Sequence, residues 1–172
     1  RFRSETKQSD QPDNTTVTNY LIAIPKQNWR TQINFMLNKT ITVRTRIELL
    51  WYNKNSADEE TGALYYFDVL YKPLQKNFSG NLRLQYFETG DYNSRIYAYE
   101  NDVLYGYSIP AFYDKGWRYY LNVNYDLARN LSAWLRWAQT IYTCKTTNGS
   151  GLDEIPGNKR SEIKLQMIWS IQ

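Results

Sequence analysis

The chain has 172 residues, a mass of 20.5 kDa and a formal net charge of +4, which leaves room for one domain of ordinary size. It contains no histidine and one cysteine, Cys144. This excludes Ser-His and Cys-His catalytic centres, His-ligated metals, an internal disulfide and a Cys-cluster zinc site. Sixteen Tyr, six Trp and six Phe argue against disorder, and no apolar run approaches the ~20 residues of a membrane-spanning helix. Arg1 opens the chain without a charged-then-apolar leader, as expected of a mature product, a fragment or a soluble protein.

Residues 1–15 are expected to form a flexible N-terminal segment or periplasmic link, and 16–172 a run of strands. Helical periodicity is nearly absent, whereas period two recurs. From Trp29 the apolar set is Trp29, Ile33, Phe35 and Leu37, against Arg30, Gln32 and Asn34. Ile41, Val43, Ile47, Leu49 and Trp51 then alternate with Thr42, Arg44, Arg46 and Glu48. The same pattern returns at 78–88, at 117–127 (Trp117, Tyr119, Leu121, Val123, Tyr125) and at 163–171 (Ile163, Leu165, Met167, Trp169, Ile171). Side chains alternate faces along a strand, so each segment has one apolar and one polar face. The expected strands are 16–25, 29–37, 41–52, 63–73, 78–88, 92–100, 103–112, 117–127, 131–143 and 161–172. The connections around 38–40, 72–77, 100–102 and 128–130 are short. Those at 53–62 and 144–160 are long, polar and glycine-bearing.

Such alternation suits either a soluble β domain with its apolar face inward or a membrane barrel with that face outward. Segments of 9–13 residues match the ~9–11 that cross a bilayer at a tilt, while soluble strands average ~5–6. Short turns at one rim and long loops at the other are the outer-membrane pattern. The expected fold is therefore all-β, an antiparallel up-and-down transmembrane β-barrel of about ten strands, as such or as part of a larger barrel. Its even strand count would put both termini on the periplasmic side. Trp29, Trp51, Tyr65, Tyr86, Trp117 and Tyr119 near one rim, and Phe35, Tyr71, Phe78, Tyr125 and Trp169 near the other, would form two interfacial girdles.

The polar face carries Arg30, Arg44, Arg46, Lys72, Arg83, Arg118, Arg136 and Lys164, against Glu48, Asp68, Asp126 and Glu162. In a barrel this is a basic lumen, either an anion-favouring pore or a plugged interior of paired charges. Each acid is expected to have a basic neighbour. Asp153 and Glu154, and Asp58 to Glu60, fit no calcium-loop spacing, and neither a metal nor a cofactor is expected.

Several stretches carry a resemblance: Arg95-Ile96-Tyr97-Ala98-Tyr99-Glu100-Asn101-Asp102-Val103-Leu104-Tyr105, Ser108-Ile109-Pro110-Ala111-Phe112, Gly116-Trp117-Arg118, Arg136-Trp137-Ala138-Gln139-Thr140, and Lys159-Arg160-Ser161-Glu162-Ile163-Lys164. So does Gly149-Ser150-Gly151-Leu152-Asp153-Glu154-Ile155. Over residues 29–172 the chain resembles the C-terminal barrel region of Bacteroidota outer-membrane proteins whose N-terminal part carries helix-hairpin-helix motifs. That resemblance implies the bacterial outer membrane and a larger parent protein, and it supplies no catalytic residues. Outer-membrane barrels usually end on an aromatic residue; here Trp169 stands three residues before Gln172. The expected function is non-enzymatic: a channel, transporter part or scaffold for an envelope complex. Its partners would be membrane lipid, lipopolysaccharide and other outer-membrane or periplasmic proteins, with no nucleic acid bound through this region. The competing expectations are a soluble, aromatic-rich carbohydrate-binding β domain and a barrel hydrolase, the latter weakened by the absence of histidine.

Overall fold

The computed structural model describes residues 1–10, 21–149 and 151–170. In chain order its strands are β1 (Phe2–Asp10), β2 (Leu21–Met36), β3 (Ile41–Tyr52), β4 (Glu60–Tyr71), β5 (Phe78–Thr89), β6 (Ile96–Tyr97), β7 (Ala111–Phe112), β8 (Lys115–Ala128), β9 (Leu131–Tyr142), β10 (Thr147–Asn148), β11 (Ile155–Pro156) and β12 (Lys159–Trp169). Eight of them form one antiparallel sheet in the order β1-β2-β3-β4-β5-β8-β9-β12. The all-β antiparallel expectation holds. Closure does not: the sheet is open, and the outer edge of β12 has no ladder partner among the described residues. β1 pairs only with Leu21–Trp29 of β2, so residues 31–36 of β2 are paired on their β3 side alone.

Three expectations about the strands are corrected. First, within residues 1–15, expected to form a flexible N-terminal segment or periplasmic link, Phe2–Asp10 is a strand paired with β2. Residues 11–15, like 16–20 of the first expected strand, lie outside the described residues. Second, 21–25 and 29–36 are one continuous strand through Pro25. The Pro25 carbonyl accepts from Asn53 N–H at 2.8 Å, just beyond the last β2–β3 ladder pair, Lys26↔Tyr52. In an antiparallel strand the nitrogen of a residue points to the same side as its oxygen, so the missing proline N–H faces past the end of β3 and no ladder bond is lost.

Third, 92–100 and 103–112 do not join the sheet. Residues 90–114 form one long connection between β5 and β8, containing a 3-10 turn (Tyr92–Ser94), the short β6–β7 ladder and a bridge between Glu100 and Ser108. This inserted segment lies across one face of the sheet. With these two strands removed, the meander separates its connections cleanly. Turns 37–40, 72–77 and 129–130 sit at one rim, and 53–59, 90–114 and 143–158 at the other. Asn38 builds one short turn, its side-chain oxygen accepting from the backbone N–H groups of Thr40 and Ile41, both at 2.8 Å.

The two faces of the sheet differ in kind. On the covered face, toward the long-connection rim, Leu50, Leu64, Tyr66 and Phe87 meet Ile96, Ala98 and Phe112 of the inserted segment in an apolar cluster. Further along the strands the same face is charged. The open face carries Ile33, Phe35, Ile47, Phe67, Leu82, Leu84, Leu121 and Leu135, all exposed, with Val123 half-buried beside them.

Candidate functional site

Strand parity and register assemble the charged centre. Arg44, Asp68, Arg83 and Tyr120 fall on one row across β3, β4, β5 and β8. Arg83 takes both oxygens of Asp68, with Nε at 2.6 Å and Nη2 at 2.7 Å. Its guanidinium lies 3.8 Å from the centre of the Tyr66 ring, a cation–π contact strengthened by exclusion of water. Because Asp68 is fully engaged, Arg44 on its other side turns to Asn34, with Nε 3.2 Å from the amide oxygen, and stays half-exposed.

The inserted segment supplies what the sheet lacks. Its run from Arg95 to Asp102 is extended, with Ile96, Ala98 and Glu100 buried and Tyr97 and Tyr99 exposed. The backbone carbonyls of Tyr97, Tyr99 and Asn101 accept from Arg46 on β3, Arg83 on β5 and Arg136 on β9, the first two at 3.2 and 2.6 Å. Glu100 lies between two arginines. Arg118 holds it through Nε at 2.6 Å and Nη2 at 2.8 Å, and Arg136 Nη2 approaches to 2.5 Å. Thr140 Oγ1 accepts from Arg118 Nη1 at 2.9 Å, and the Tyr120 hydroxyl accepts from Asn101 N–H at 3.1 Å. Asn122 donates to the Asn101 carbonyl at 2.7 Å. Lys164 on β12 pairs with Asp102 at 2.7 Å and with Glu162 at 3.1 Å. Buried guanidiniums must be matched by acceptors. Carbonyls that a ladder strand would have spent on its neighbours are here free to provide them. Gly62 marks a close approach of the inserted segment to the sheet: a Cβ there would stand 2.5 Å from the Ser94 carbonyl oxygen.

Of the polar-face residues expected from sequence, Arg46, Glu48, Asp68, Arg83, Arg118 and Arg136 are brought together and buried. Glu48 is held by Arg46 and lies 3.2 Å from Arg30 Nε. Arg30 and Arg44 are half-buried, and Glu162 and Lys164 sit exposed or half-exposed at the β12 edge. Asp126 is a correction: it has no basic neighbour among the described residues. Its partner is Ser132 Oγ at 2.6 Å, the residue opposite it in the β8–β9 ladder, next to an irregularity between Asp126 and Ala128 at the short-turn end of the strands. Glu100 and Asp102 were missed, having been read as a short turn. The signal was available in the excess of bases over acids on the polar face.

The expected interfacial aromatics all project from the open face. Trp29, Tyr65, Trp117, Tyr125 and Trp169 are exposed, and Trp51, Tyr86 and Tyr119 are half-buried. Tyr86 packs on Trp117 with ring centres 5.0 Å apart, and Tyr119 on Trp137 at 5.4 Å.

Burial alone would raise the Asp102 carboxyl, but donation from Lys164 Nζ and Val103 N–H, with Arg136 close by, outweighs it and holds the group below its ordinary value. A depressed carboxyl contributes stability above its unfolded value near 3.8 and loses it as pH falls through the lower folded value. Pepsin cleavage within 90–114 should therefore accelerate as pH drops below 3.8. Asp102→Asn should already be cut faster at pH 3.8 and show a shallower acid dependence. Equal rates for the two proteins across that window would contradict the anchor role.

The fold and this centre define a class: an antiparallel all-β meander whose charged face is covered by its own inserted segment. Comparisons with family models, with curated proteins and with solved structures found no match.

Proposed function

We propose that this chain is wall and plug of a bacterial outer-membrane β-barrel. Its open face lies against lipid, its charged face points inward, and the inserted segment obstructs the interior. It works without catalysis, as a channel or transporter part or as a scaffold for an envelope complex. The observation that carries this is the inverted polarity of the sheet. Arg83, Arg136 and Glu100 are 0% exposed, while Leu84, Leu165 and Ile163 are 50–71% exposed. In water, apolar surface left open forgoes about 25 cal/mol per Å², and a contiguous patch beyond a few hundred Å² marks an interaction surface. A bilayer favours this arrangement. No helix among the described residues is long and apolar enough to cross a membrane, so the strands alone would span it.

Several features bear on orientation and partners. Long connections at one rim and short turns at the other fit an extracellular and a periplasmic side respectively. Lipid and lipopolysaccharide are then the immediate partners. The two sheet edges, without ladder partners among the described residues, leave room for further strands or for other outer-membrane or periplasmic proteins. The sequence resemblance to Bacteroidota barrels supports the same location. A carbohydrate-binding domain is less well served, because the middle of the open face is lined by Ile47, Phe67, Leu84, Leu121 and Leu135, and its hydrogen-bonding groups near the aromatics are paired with one another, Tyr86 with Glu88 and Tyr119 with Gln139. In detergent phase partitioning the purified chain should follow the detergent, and in liposomes it should resist a carbonate wash. A monodisperse protein in plain buffer would contradict the proposal.

A further inference from the structure

Away from the paired centre, the covered face holds a cleft of about 190 Å³ bounded by β1, β2, β3 and the start of the inserted segment. Arg3, Lys26, Arg30 and Arg95 line it, against Glu5 and Glu48. Both carboxylates are already committed. Glu48 is held by Arg46 and by Asn28 Nδ2 at 2.5 Å, with Arg30 at 3.2 Å. Glu5 pairs with Arg3 at 2.6 Å and stands 4.0 Å from Lys7.

Lys26 and Arg95 have no carboxylate partner among the described residues. Lys26 Nζ reaches only the Asn93 carbonyl, at 3.4 Å. Arg95 is fixed by the Tyr92 carbonyl at 2.8 Å and the Tyr97 hydroxyl at 2.9 Å, and its guanidinium lies 4.1 Å from the centre of the Tyr92 ring. These contacts use Nη1 and Nε and leave Nη2 without a protein acceptor among the described residues. A pre-oriented guanidinium and an ammonium from two different elements thus line one small cleft, with a third cation, Arg30, beside them. A planar fork with free N–H groups matches phosphate oxygens, and an ammonium adds a point charge.

We propose that this cleft binds a phosphate-class oxyanion, held between Lys26 and Arg95 with Arg30 alongside. The group is either a free phosphate or pyrophosphate, or the phosphomonoester headgroup of a lipid. This goes beyond the membrane proposal and does not depend on it, since every residue involved lies on the covered face or the inserted segment. Titration calorimetry on the full chain in a non-ionic detergent tests it, with inorganic pyrophosphate in one arm and phosphatidic acid in mixed micelles in the other.

Saturable binding of pyrophosphate identifies a free anion as sufficient; binding of phosphatidic acid alone identifies a lipid headgroup. In either case Lys26→Gln with Arg95→Gln should weaken binding about tenfold or more, as expected for loss of charge-assisted hydrogen bonds. Lys39→Gln, in the exposed turn at the opposite rim, should leave it unchanged. Both cleft residues are half-exposed, and an unchanged melting temperature would show that the variant folds. No saturable heat with either probe, or equal affinity in the double variant, would overturn the assignment.

Discussion

Replacing Glu100 by alanine should be among the most damaging single substitutions in the chain, costing about 3–5 kcal/mol of stability. The carboxylate is 0% exposed and meets two guanidiniums, from Arg118 on β8 and Arg136 on β9. Its removal leaves two buried cations with no counter-charge at that point, and the penalty comes mainly from those orphaned groups rather than from the attraction lost. Glu100→Gln keeps an acceptor but not the charge, so its cost should be smaller, about 1.5–3 kcal/mol. Denaturant midpoints in one detergent give both numbers at once. A Glu100→Ala protein within about 0.5 kcal/mol of the parent, the range of ordinary surface changes, would show that the inserted segment is not held as described.

The second large effect distinguishes the two environments of the open face by its size. Ile47 and Leu84 project from the middle of that face, 43% and 50% exposed. Ile47→Arg and Leu84→Arg should each cost about 2–4 kcal/mol in a bilayer near mid-depth. On a water-facing sheet the same changes would be close to neutral, within about 0.5 kcal/mol. Reversible folding into liposomes, followed by denaturant titration, measures the difference. Near-zero values for both variants would place these side chains in water.

Much of the sheet could be read directly from side-chain alternation. β3 spans the residues expected, and β4, β5, β8, β9 and β12 fall within about three residues of their expected bounds. The reason is physical: a side-chain period of two, sustained over ten or more residues with one charged and one apolar face, has few alternative explanations. The same parity put Arg46, Glu48, Asp68, Arg83, Arg118 and Arg136 on one face before any register was known.

Other features left no such trace. β1 has Arg3, Glu5 and Lys7 on one side and Ser4, Thr6 and Gln8 on the other, so neither face is apolar and no period appears. Pro25 interrupted β2 in sequence but not in space, because what a proline costs depends on which way its missing N–H would have pointed. The segment 90–114 shows true alternation, with Ser94, Ile96, Ala98 and Glu100 buried in turn. Alternation records which side of a strand is covered, but not whether that strand joins a ladder or crosses over one. Only the surplus of arginine on the polar face implied that acceptors had to arrive from elsewhere.

As proposed, this sheet turns its apolar face to lipid and its charged face inward. Single nitroxides at Ile33, Ile47, Phe67, Leu84, Leu121 and Leu135, in a Cys144→Ser background reconstituted into liposomes, test it most directly. Collision with oxygen reports lipid and collision with a water-soluble nickel chelate reports solvent. High oxygen and low nickel accessibility is expected at all six positions, with labels at Gln85 and Thr140 shielded from both. High nickel accessibility across the six open-face positions, or low accessibility to both probes as in a packed core, would contradict it.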